Sequence, residues 1–414
     1  MAKKSTFISL LAATLLLVCG GTPASASPFK VDLELFKFNP SLIVYEKSAA
    51  EFAEPQTCGE CHEDKYQEWN GSLHSMAFID PVYQGELNKA VKAVGHEISR
   101  QCEGCHSPAG VVTGEIKGPG VSGLSAVAKA GVSCDICHSI SALNHDKTPT
   151  KEPENGSFVI KPGEDRPDGP VLIKHGPRPP EEGCGDGFHE CRQTEFHTQA
   201  DLCASCHQVY HYEKHFPIEA TYNEWKHSPY AQQDIHCQDC HMVGTETFVK
   251  VADTLLKPER KDYRHYFNGA NYLLYYLGAQ AAEKVGDKEQ AGRLMFQYEM
   301  AVKRLQNAAE LEIEPIYRQG ALAEVRVRVK NVRAGHNLPT SLSNIRQMWL
   351  EVIAKDEKGK VILSTGAVGA DGSLTDDARL FNSDGMGPDM HFAVDPWIIT
   401  AFSRHETIPP QGLS

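Results

Sequence analysis

The chain has 414 residues, with 54 acidic and 41 basic side chains and a formal net charge of −13. Charged residues make up 23% of the sequence and hydrophobic residues 41%, which excludes a largely disordered chain. The net negative charge excludes sequence-independent nucleic-acid binding, which needs a basic surface. The length is enough for about two or three domains. The 13 Cys and 19 His are the unusual feature, and the candidate sites follow from them.

Residues 1–26 have the features of an export signal. Two lysines precede the apolar stretch Phe7–Val18, and the small residues Ala24 and Ala26 form a cleavage site. A membrane-spanning helix needs about 20 apolar residues, so a retained anchor is the less favoured alternative. Cys19 leaves a lipoprotein as another, although Val18 is larger than the residue expected before a lipidated cysteine. We therefore predict an exported protein, periplasmic or at the cell surface or extracellular, that is not transmembrane.

Ten of the 12 cysteines after the leader belong to one motif, C-x-x-C-H. In c-type hemes the two thiols of this motif bind one porphyrin covalently, and the adjacent histidine binds the iron. The sequence thus predicts five heme c groups. Their attachment residues are Cys58, Cys61, Cys102, Cys105, Cys134, Cys137, Cys203, Cys206, Cys237 and Cys240. Their proximal iron ligands are His62, His106, His138, His207 and His241.

The main alternative for C-x-x-C pairs is a zinc or iron–sulfur site. Zinc sites do not require a histidine directly after the second cysteine, and finding one in all five motifs is not expected by chance. Ten exported thiols without a cofactor would also tend to form disulfides. We assign these ten to heme and predict a disulfide between the remaining two, Cys184 and Cys191.

The five motifs are crowded between Cys58 and His241, so the porphyrins should supply much of the core. We predict a pentaheme cytochrome domain over residues 27–250. Segments 108–123 and 144–187 are rich in Gly, Pro and Ser and have neither helical nor strand periodicity. The expected fold class is mostly α, with extensive loops wrapped around five c-type hemes. Hemes this close would exchange electrons.

A second axial ligand decides whether a heme only carries electrons or also binds a substrate. Histidine is abundant and methionine scarce, with eight Met in the chain, so His/His ligation and low reduction potentials are favoured. For each histidine, an ordinary surface or hydrogen-bonded role remains the alternative. The candidate distal ligands are His74, His96, His189, His227, His265 and His336.

A weak internal repeat supports one of these candidates. The segment Glu68–His74 follows the first motif, and the similar segment Glu224–Tyr230 precedes the fifth. Tyr230 takes the place of His74 in the second copy, whereas His227 is shifted by three positions. A tyrosine at this place keeps open the possibility that one heme lacks a distal histidine.

Beyond residue 250 the pattern changes. Segments 271–285 and 291–309 indicate two helices, and we predict a helical hairpin over residues 251–315, closed by Pro315, as a packing scaffold. A partner-docking surface is the alternative for this hairpin. From Ala321 the period becomes two, with Val325, Val327 and Val329 alternating with charged residues, and the segments on either side of residues 356–359 indicate a hairpin. These patterns predict a C-terminal β-sandwich-like module over residues 316–414. This module carries the loop Gly335–Thr340 with His336, and the pattern predicts a further strand beyond residue 414.

Several segments resemble the multiheme c-type cytochromes of the cytochrome c-554 and hydroxylamine oxidoreductase kind. They are Trp69–His74, Gly131–His138, Leu202–His207, and Glu224–Trp225 followed by His236–Met242. The resemblance covers about residues 55–345 and implies stacked heme pairs, mostly with His/His ligation, in an exported protein. Members include electron carriers, enzymes acting on small nitrogen compounds and cell-surface conduits. No motif here ends in lysine, which counts against the Lys-ligated heme of pentaheme nitrite reductases.

Two functions follow from the sequence. The first is electron relay through mostly bis-His hemes, with other cytochromes, quinol-linked donors or extracellular acceptors as partners, as in extracellular respiration. The alternative is an oxidoreductase with one open heme acting on a small nitrogen compound such as hydroxylamine. We find no other catalytic constellation, so no catalytic residue is predicted. A homo-oligomer or heme-linked filament is a further possibility.

Overall fold

The computed structural model describes residues 42–411 apart from residues 96, 183, 185–186 and 212–215. The predicted export signal and His96 lie outside the described residues. The α-helices of the described part, in chain order, are α1 Pro55–Gly59, α2 Glu63–Asn70, α3 Leu73–Met76, α4 Pro81–Val94, α5 Glu97–His106, α6 Pro108–Val112, α7 Ala126–Lys129, α8 Cys134–Ser139, α9 Ala200–His207, α10 Thr221–Lys226, α11 Pro229–Gln232, α12 Cys237–His241, α13 Thr245–Thr254, α14 Tyr272–Lys284 and α15 Lys288–Ala308.

The strands of the described part are short and form small sheets. In chain order they are β1 Val44–Tyr45, β2 Ile140–Leu143, β3 Phe158–Ile160, β4 Gly163–Arg166, β5 Gly169–Gly176, β6 Glu190–Gln193, β7 Val209–Tyr210, β8 Pro217–Glu219, β9 Ala309–Arg318, β10 Ala321–Asn331, β11 Met348–Leu350, β12 Val352–Lys355, β13 Val361–Thr365, β14 Arg379–Phe381, β15 Ser383–Met386 and β16 Ala401–His405. Two sheets have three strands, β1-β3-β2 and β4-β5-β6. The others pair β7 with β8, β9 with β10, β11 with β14, β12 with β13, and β15 with β16. We call residues 55–268 the motif region and residues 309–411 the β-region.

The C-x-x-C-H motifs lie on short helices. The second and fourth end α5 and α9, the third and fifth form α8 and α12, and the first begins in α1 and runs past its end. Local caps help to fix these helices: the Ser133 hydroxyl accepts a hydrogen bond from the Ile136 amide at the start of α8. Because one helical turn spans about 3.6 residues, the two cysteines of a motif come close to each other on the helix. The motif spacing therefore has a direct structural basis.

The internal repeat forms two similar helix pairs, α2 with α3 and α10 with α11. The indole of Trp69 donates to the Val132 carbonyl, and the indole of Trp225 donates to the Ile235 carbonyl, both at 2.8 Å. His74 is the second residue of α3 and Tyr230 the second residue of α11. The two residues thus occupy equivalent places in the two helix pairs.

Buried apolar side chains of the described part form several separate clusters instead of one continuous core. One cluster contains Phe78 and Leu87, another Phe158 and Ile160, and a third surrounds Ile235. A single domain normally builds one contiguous core. The division into clusters is what we expect where bulky groups lie between them.

The motif region contains more strand than the sequence indicated. The sequence predicts loop for segment 144–187, but this segment includes β3, β4 and the whole of β5. The apolar run Val171–Ile173 forms the centre of β5, which pairs with β4 on one side and with β6 on the other. The neighbouring glycines and prolines hid this run, because they interrupt the alternation that marks a longer strand.

The predicted helical hairpin is observed as α14 and α15. Tyr275 and Ala279 of α14 pack against Leu294 and Ala301 of α15 in one buried cluster. The second helix ends at Ala308, before Pro315, which lies within β9. No helix of the described residues has the length and apolar character that a bilayer crossing requires.

The β-region consists of paired strands. β9 and β10 form a long ribbon, and β12 and β13 form the hairpin expected around residues 356–359. In the ribbon, Val327 pairs with Ile313 and Arg328 pairs with Glu312, so one face is apolar and the other charged. The sandwich-like packing of these sheets stays a prediction.

Candidate heme-binding sites

Hydrogen bonds at Nδ1 orient most of the proximal histidines. Three of them meet a backbone carbonyl: His106 that of Ala77 at 2.7 Å, His138 that of His175 at 2.6 Å and His241 that of Asn268 at 2.8 Å. A carbonyl oxygen only accepts, so Nδ1 carries the proton and Nε2 keeps its lone pair. This is the tautomer that a metal-binding histidine needs.

The fourth motif has a different partner. Nδ1 of His207 lies 3.2 Å from the Glu219 carboxylate, at the end of β8. Burial lowers the pKa of His207, but the hydrogen bond to Glu219 and its negative charge raise that pKa to about 9. For His241 the opposite result holds, because burial and the positive charge of Arg304 lower its pKa to about 3. His207 is therefore the proximal histidine of the described part that is bound to a carboxylate.

Four proximal histidines each face a second histidine at nearly the same distance. The ring centroids are 6.5 Å apart for His62 and His189, 6.3 Å for His207 and His74, 6.4 Å for His138 and His265, and 6.1 Å for His241 and His336. With metal–nitrogen bonds of about 2 Å, two imidazoles on opposite sides of one metal ion have centroids about 6 Å apart. The four pairs thus fit the spacing of two axial ligands.

Burial keeps two of the second histidines neutral. It lowers the pKa of His74 and of His265 to about 3 each, with further lowering from neighbouring histidines. Nδ1 of each ring is buried without a hydrogen-bond partner among the described residues. A neutral imidazole is the form that binds iron, and a buried ring nitrogen without a partner is rare in a protein interior. Both observations fit a ligand role.

His336 reaches the fifth site from the β-region. Its loop is held by Glu224, whose carboxylate accepts from the Asn337 amide at 3.0 Å and from the Thr340 hydroxyl at 2.5 Å. The Tyr230 ring packs beside the same loop, next to Gly335. Where the first copy of the repeat supplies His74, the second copy therefore supports a loop that brings in His336.

His189 lies between the two cysteines outside the motifs. The structure joins Cys184 and Cys191 in a disulfide with an S–S distance of 2.01 Å, whereas the ten motif cysteines are free. The disulfide closes a short loop, and this loop places His189 opposite His62.

Two other histidines take different places. His227 is exposed, and its Nδ1 lies 2.7 Å from the Asn223 carbonyl. His197 stacks on His138 with centroids 5.6 Å apart, but both of its nitrogens already have partners, Thr194 and the Cys137 carbonyl. His265 is therefore the better candidate for the second ligand at the third site.

The second motif differs from the other four. Among the described residues, no imidazole lies about 6 Å across from His106; instead the Tyr83 ring stacks on it, with centroids 3.7 Å apart and planes 8° apart. The Tyr83 hydroxyl is buried and has no hydrogen-bond partner among the residues that the structure describes. Burial and nearby Cys102 and Glu103 raise the pKa of Tyr83 well above its usual value. The candidate ligand His96 lies outside the described residues.

The motifs are in contact with one another through their cysteines. Cys58 and Cys134 are close enough for each thiol to shift the pKa of the other, so the first and third sites are neighbours. Two further thiol pairs join the fourth site to its neighbours: Cys206 with Cys105 of the second site, and Cys203 with Cys237 of the fifth.

The third and fourth sites are also neighbours. Burial and then the charge of Cys203 raise the pKa of Cys137 to about 12, so these two thiols are close enough to interact electrostatically. The five sites therefore form one connected group in which the fourth site adjoins the second, third and fifth.

Sequence reasoning missed three residues of these sites. Glu219 and Glu224 carry no recognisable motif, because an acidic residue has the same appearance whether it binds a histidine or faces solvent. Tyr83 was missed because it belongs to α4, whose pattern is that of an ordinary amphipathic helix. The repeat did draw attention to the segment that contains Glu224.

The residues fit heme c: five pairs of free thiols, proximal histidines with Nδ1 hydrogen-bonded at four motifs, and four second histidines at ligand spacing. Residues 57–139 match the family model described as cytochrome c554 and c-prime. No curated protein and no solved structure matches the chain. The match covers the first three motifs and supports a multiheme c-type cytochrome that takes part in electron transfer.

Proposed function

We propose that this protein is an exported pentaheme cytochrome that relays electrons, with at least four of its hemes held by two histidines. The match of residues 57–139 to the cytochrome c554 and c-prime family supports the general assignment to c-type cytochromes. The observation that carries the finer proposal is the set of four histidine pairs with ring centroids 6.1–6.5 Å apart. Such pairs leave no iron position free for a substrate, which is what a carrier needs.

Heme c bound at these motifs supplies one-electron iron chemistry, with potentials set by the axial ligands and their hydrogen bonds. The protein itself would hold the hemes and orient the histidine rings that bind them. The motif cysteines fix each group covalently, the Nδ1 hydrogen bonds fix the proximal rings, and Glu224 fixes the loop of His336. Cys58 lies close to Cys134, and Cys203 lies close to Cys237, so the sites to which they belong are neighbours.

The arrangement of the sites suggests the route. The first site adjoins the third, the third adjoins the fourth, and the fourth adjoins the second and the fifth. Electrons that enter at the first site would pass the third and fourth before leaving by the second or the fifth. Partners would be other cytochromes, quinol-linked donors or extracellular acceptors. The net charge of −13 favours a basic docking surface on such a partner.

The second site favours one alternative function. His106 is stacked against Tyr83 and faces no second histidine within the described ranges. An iron held there by His106 alone would have a free position for a small nitrogen compound such as hydroxylamine. The alternative and the relay differ only in whether the iron at the second site has a second ligand from the protein.

Heme analysis of the purified protein tests the proposal. Expression in a host that matures c-type cytochromes should give a protein whose intact mass includes five hemes and lacks residues 1–26. A mass with fewer than five hemes would contradict the pentaheme assignment. Retention of the leader would contradict export by cleavage, and hydroxylamine-dependent turnover would favour the alternative function.

A further inference from the structure

The fourth site differs from its neighbours in what its proximal histidine is bound to. The imidazole of His106, His138 and His241 each donates to a neutral backbone carbonyl. The His207 imidazole instead donates to the Glu219 carboxylate at 3.2 Å. Backbone carbonyl and carboxylate both fix the tautomer, but only the carboxylate adds a negative charge.

The position of Glu219 is built into the fold. Glu219 ends β8, where it pairs with Val209 of β7 directly after the fourth motif. It is buried, with 9% of its surface exposed, so solvent screens its charge less than that of a surface carboxylate. Arg346 is near enough to interact electrostatically with Glu219, but the hydrogen-bonded neighbour of the His207 ring is the carboxylate itself.

A carboxylate changes the ligand as well as its orientation. Hydrogen bonds to charged groups are roughly twice as strong as those between neutral groups. A strong acceptor at Nδ1 draws the proton away and makes Nε2 a better electron donor. A more basic ligand and a nearby negative charge both stabilise ferric over ferrous iron, which lowers the reduction potential.

We propose that Glu219 lowers the reduction potential of the heme at the fourth site through its hydrogen bond with His207. The inference rests on the proposed function, since it requires a heme at this motif. Glu219 acts through His207 and is a positioning residue. Because the fourth site adjoins three others, its potential decides how readily electrons pass between the first and third sites on one side and the second and fifth on the other.

The test uses the full heme-loaded protein and its Glu219→Gln variant. Glutamine keeps an acceptor oxygen and nearly the same shape but has no charge. We expect five hemes in both proteins and, in spectroelectrochemical titration, one of the five potentials shifted upward in the variant. Glu68→Gln is the matched control, because Glu68 is also buried but its carboxylate accepts from the backbone amide of His265 and from Arg264. The control should leave the potential assigned to the fourth heme unchanged.

Electron paramagnetic resonance of the oxidised proteins gives an independent readout. In the wild type, one low-spin heme should have a smaller spread of g-values than the other bis-His hemes, because its ligand is more basic. In Glu219→Gln this signal should move toward the others. The wild-type spectrum alone tests the proposal should the variant not fold, since uniform g-values would overturn it.

Three results would overturn the inference. Five loaded hemes with unchanged potentials in Glu219→Gln would remove any role in tuning. Loss of the fourth heme from this variant would make Glu219 a structural support, because glutamine preserves the acceptor. An equal upward shift of the potential assigned to the fourth heme in Glu68→Gln would assign the effect to general electrostatics. Fewer than five hemes in the wild type would instead contradict the proposed function.

Discussion

The motif region and the β-region bury their apolar side chains very differently. In the motif region Phe158 and Ile160 have 1% and 0% of their surface exposed. In the ribbon of the β-region Leu311 and Ile313 have 59% and 67% exposed. A two-stranded sheet cannot cover its own apolar face, whereas the short helices of the motif region pack from several directions. The β-region therefore contributes less to the core and more to individual contacts.

One of those contacts is central to the sites. His336 comes from the β-region and faces His241 of the motif region at 6.1 Å. It depends on Glu224, which belongs to the motif region. The difference teaches that the region with the weaker core still places a candidate ligand at a site. The loop that carries His336 is held by Glu224 of the motif region and by contacts within the β-region, such as the hydrogen bond from the Asn331 side-chain amide to the His336 carbonyl.

The largest expected effect comes from removing a whole attachment site. The double variant Cys203→Ser/Cys206→Ser should lose one heme of five, and its yield of loaded protein should fall more than that of Cys58→Ser/Cys61→Ser. The reason is that the fourth site adjoins three others, whereas the thiol contact of the first joins it to the third. Intact mass spectrometry measures the heme count. Equal yields for the two double variants would contradict the arrangement of the sites.

The second effect concerns the ligand that crosses between the regions. His336→Ala should convert one low-spin heme to a high-spin form, because the fifth site loses its second imidazole. His227→Ala is the matched control: His227 is exposed and bound to the Asn223 carbonyl, so its spectrum should remain that of the wild type. Electron paramagnetic resonance distinguishes the two. A high-spin signal that is present in the control and absent from the wild type, or no new high-spin signal from His336→Ala, would contradict the assignment of the two histidines.

The third effect compares the regions through stability. Phe158→Ala leaves a cavity in a buried cluster and should lower the free energy of unfolding by about 3–5 kcal/mol. Ile313→Ala removes a side chain that is already mostly exposed and should change it by about 0.5 kcal/mol or less. Thermal or denaturant unfolding of the loaded proteins measures both. A large loss from Ile313→Ala would mean that the ribbon face is covered in solution.

The smallest expected effect tests the repeat. Trp69→Phe keeps an aromatic ring but removes the hydrogen bond to the Val132 carbonyl, and should cost about 1 kcal/mol. Trp225→Phe removes the equivalent bond to the Ile235 carbonyl and should cost about the same. Chemical denaturation resolves a difference of this size. Unequal losses would show that the two helix pairs are not equivalent supports.

Some features of the molecule are evident in the sequence because their chemistry fixes the spacing. The C-x-x-C-H motifs define the attachment residues, and the three- and four-residue steps of residues 291–309 predict α15. The valines at 325, 327 and 329 predict β10 for the same reason. Local periodicity does not predict which residues far apart in the chain contact each other.

Pairing across the chain was the part that sequence could not supply. His74 follows the first motif but faces His207 of the fourth, and His189 faces His62 more than a hundred residues earlier. The abundance of histidine favoured His/His ligation, but the sequence did not distinguish His227 from His336 as candidate ligands. The structure distinguishes the two by a tertiary contact, because the Glu224 carboxylate binds the loop that carries His336. No local sequence pattern predicts this contact.

The most direct test of the account is quantitative electron paramagnetic resonance of the oxidised, heme-loaded protein, with and without hydroxylamine. The four histidine pairs predict low-spin ferric signals from at least four hemes, unchanged by hydroxylamine. High-spin signals from two or more hemes would contradict the four pairs. A single stoichiometric high-spin signal that shifts with hydroxylamine would contradict the relay as the function and place an open iron beside His106.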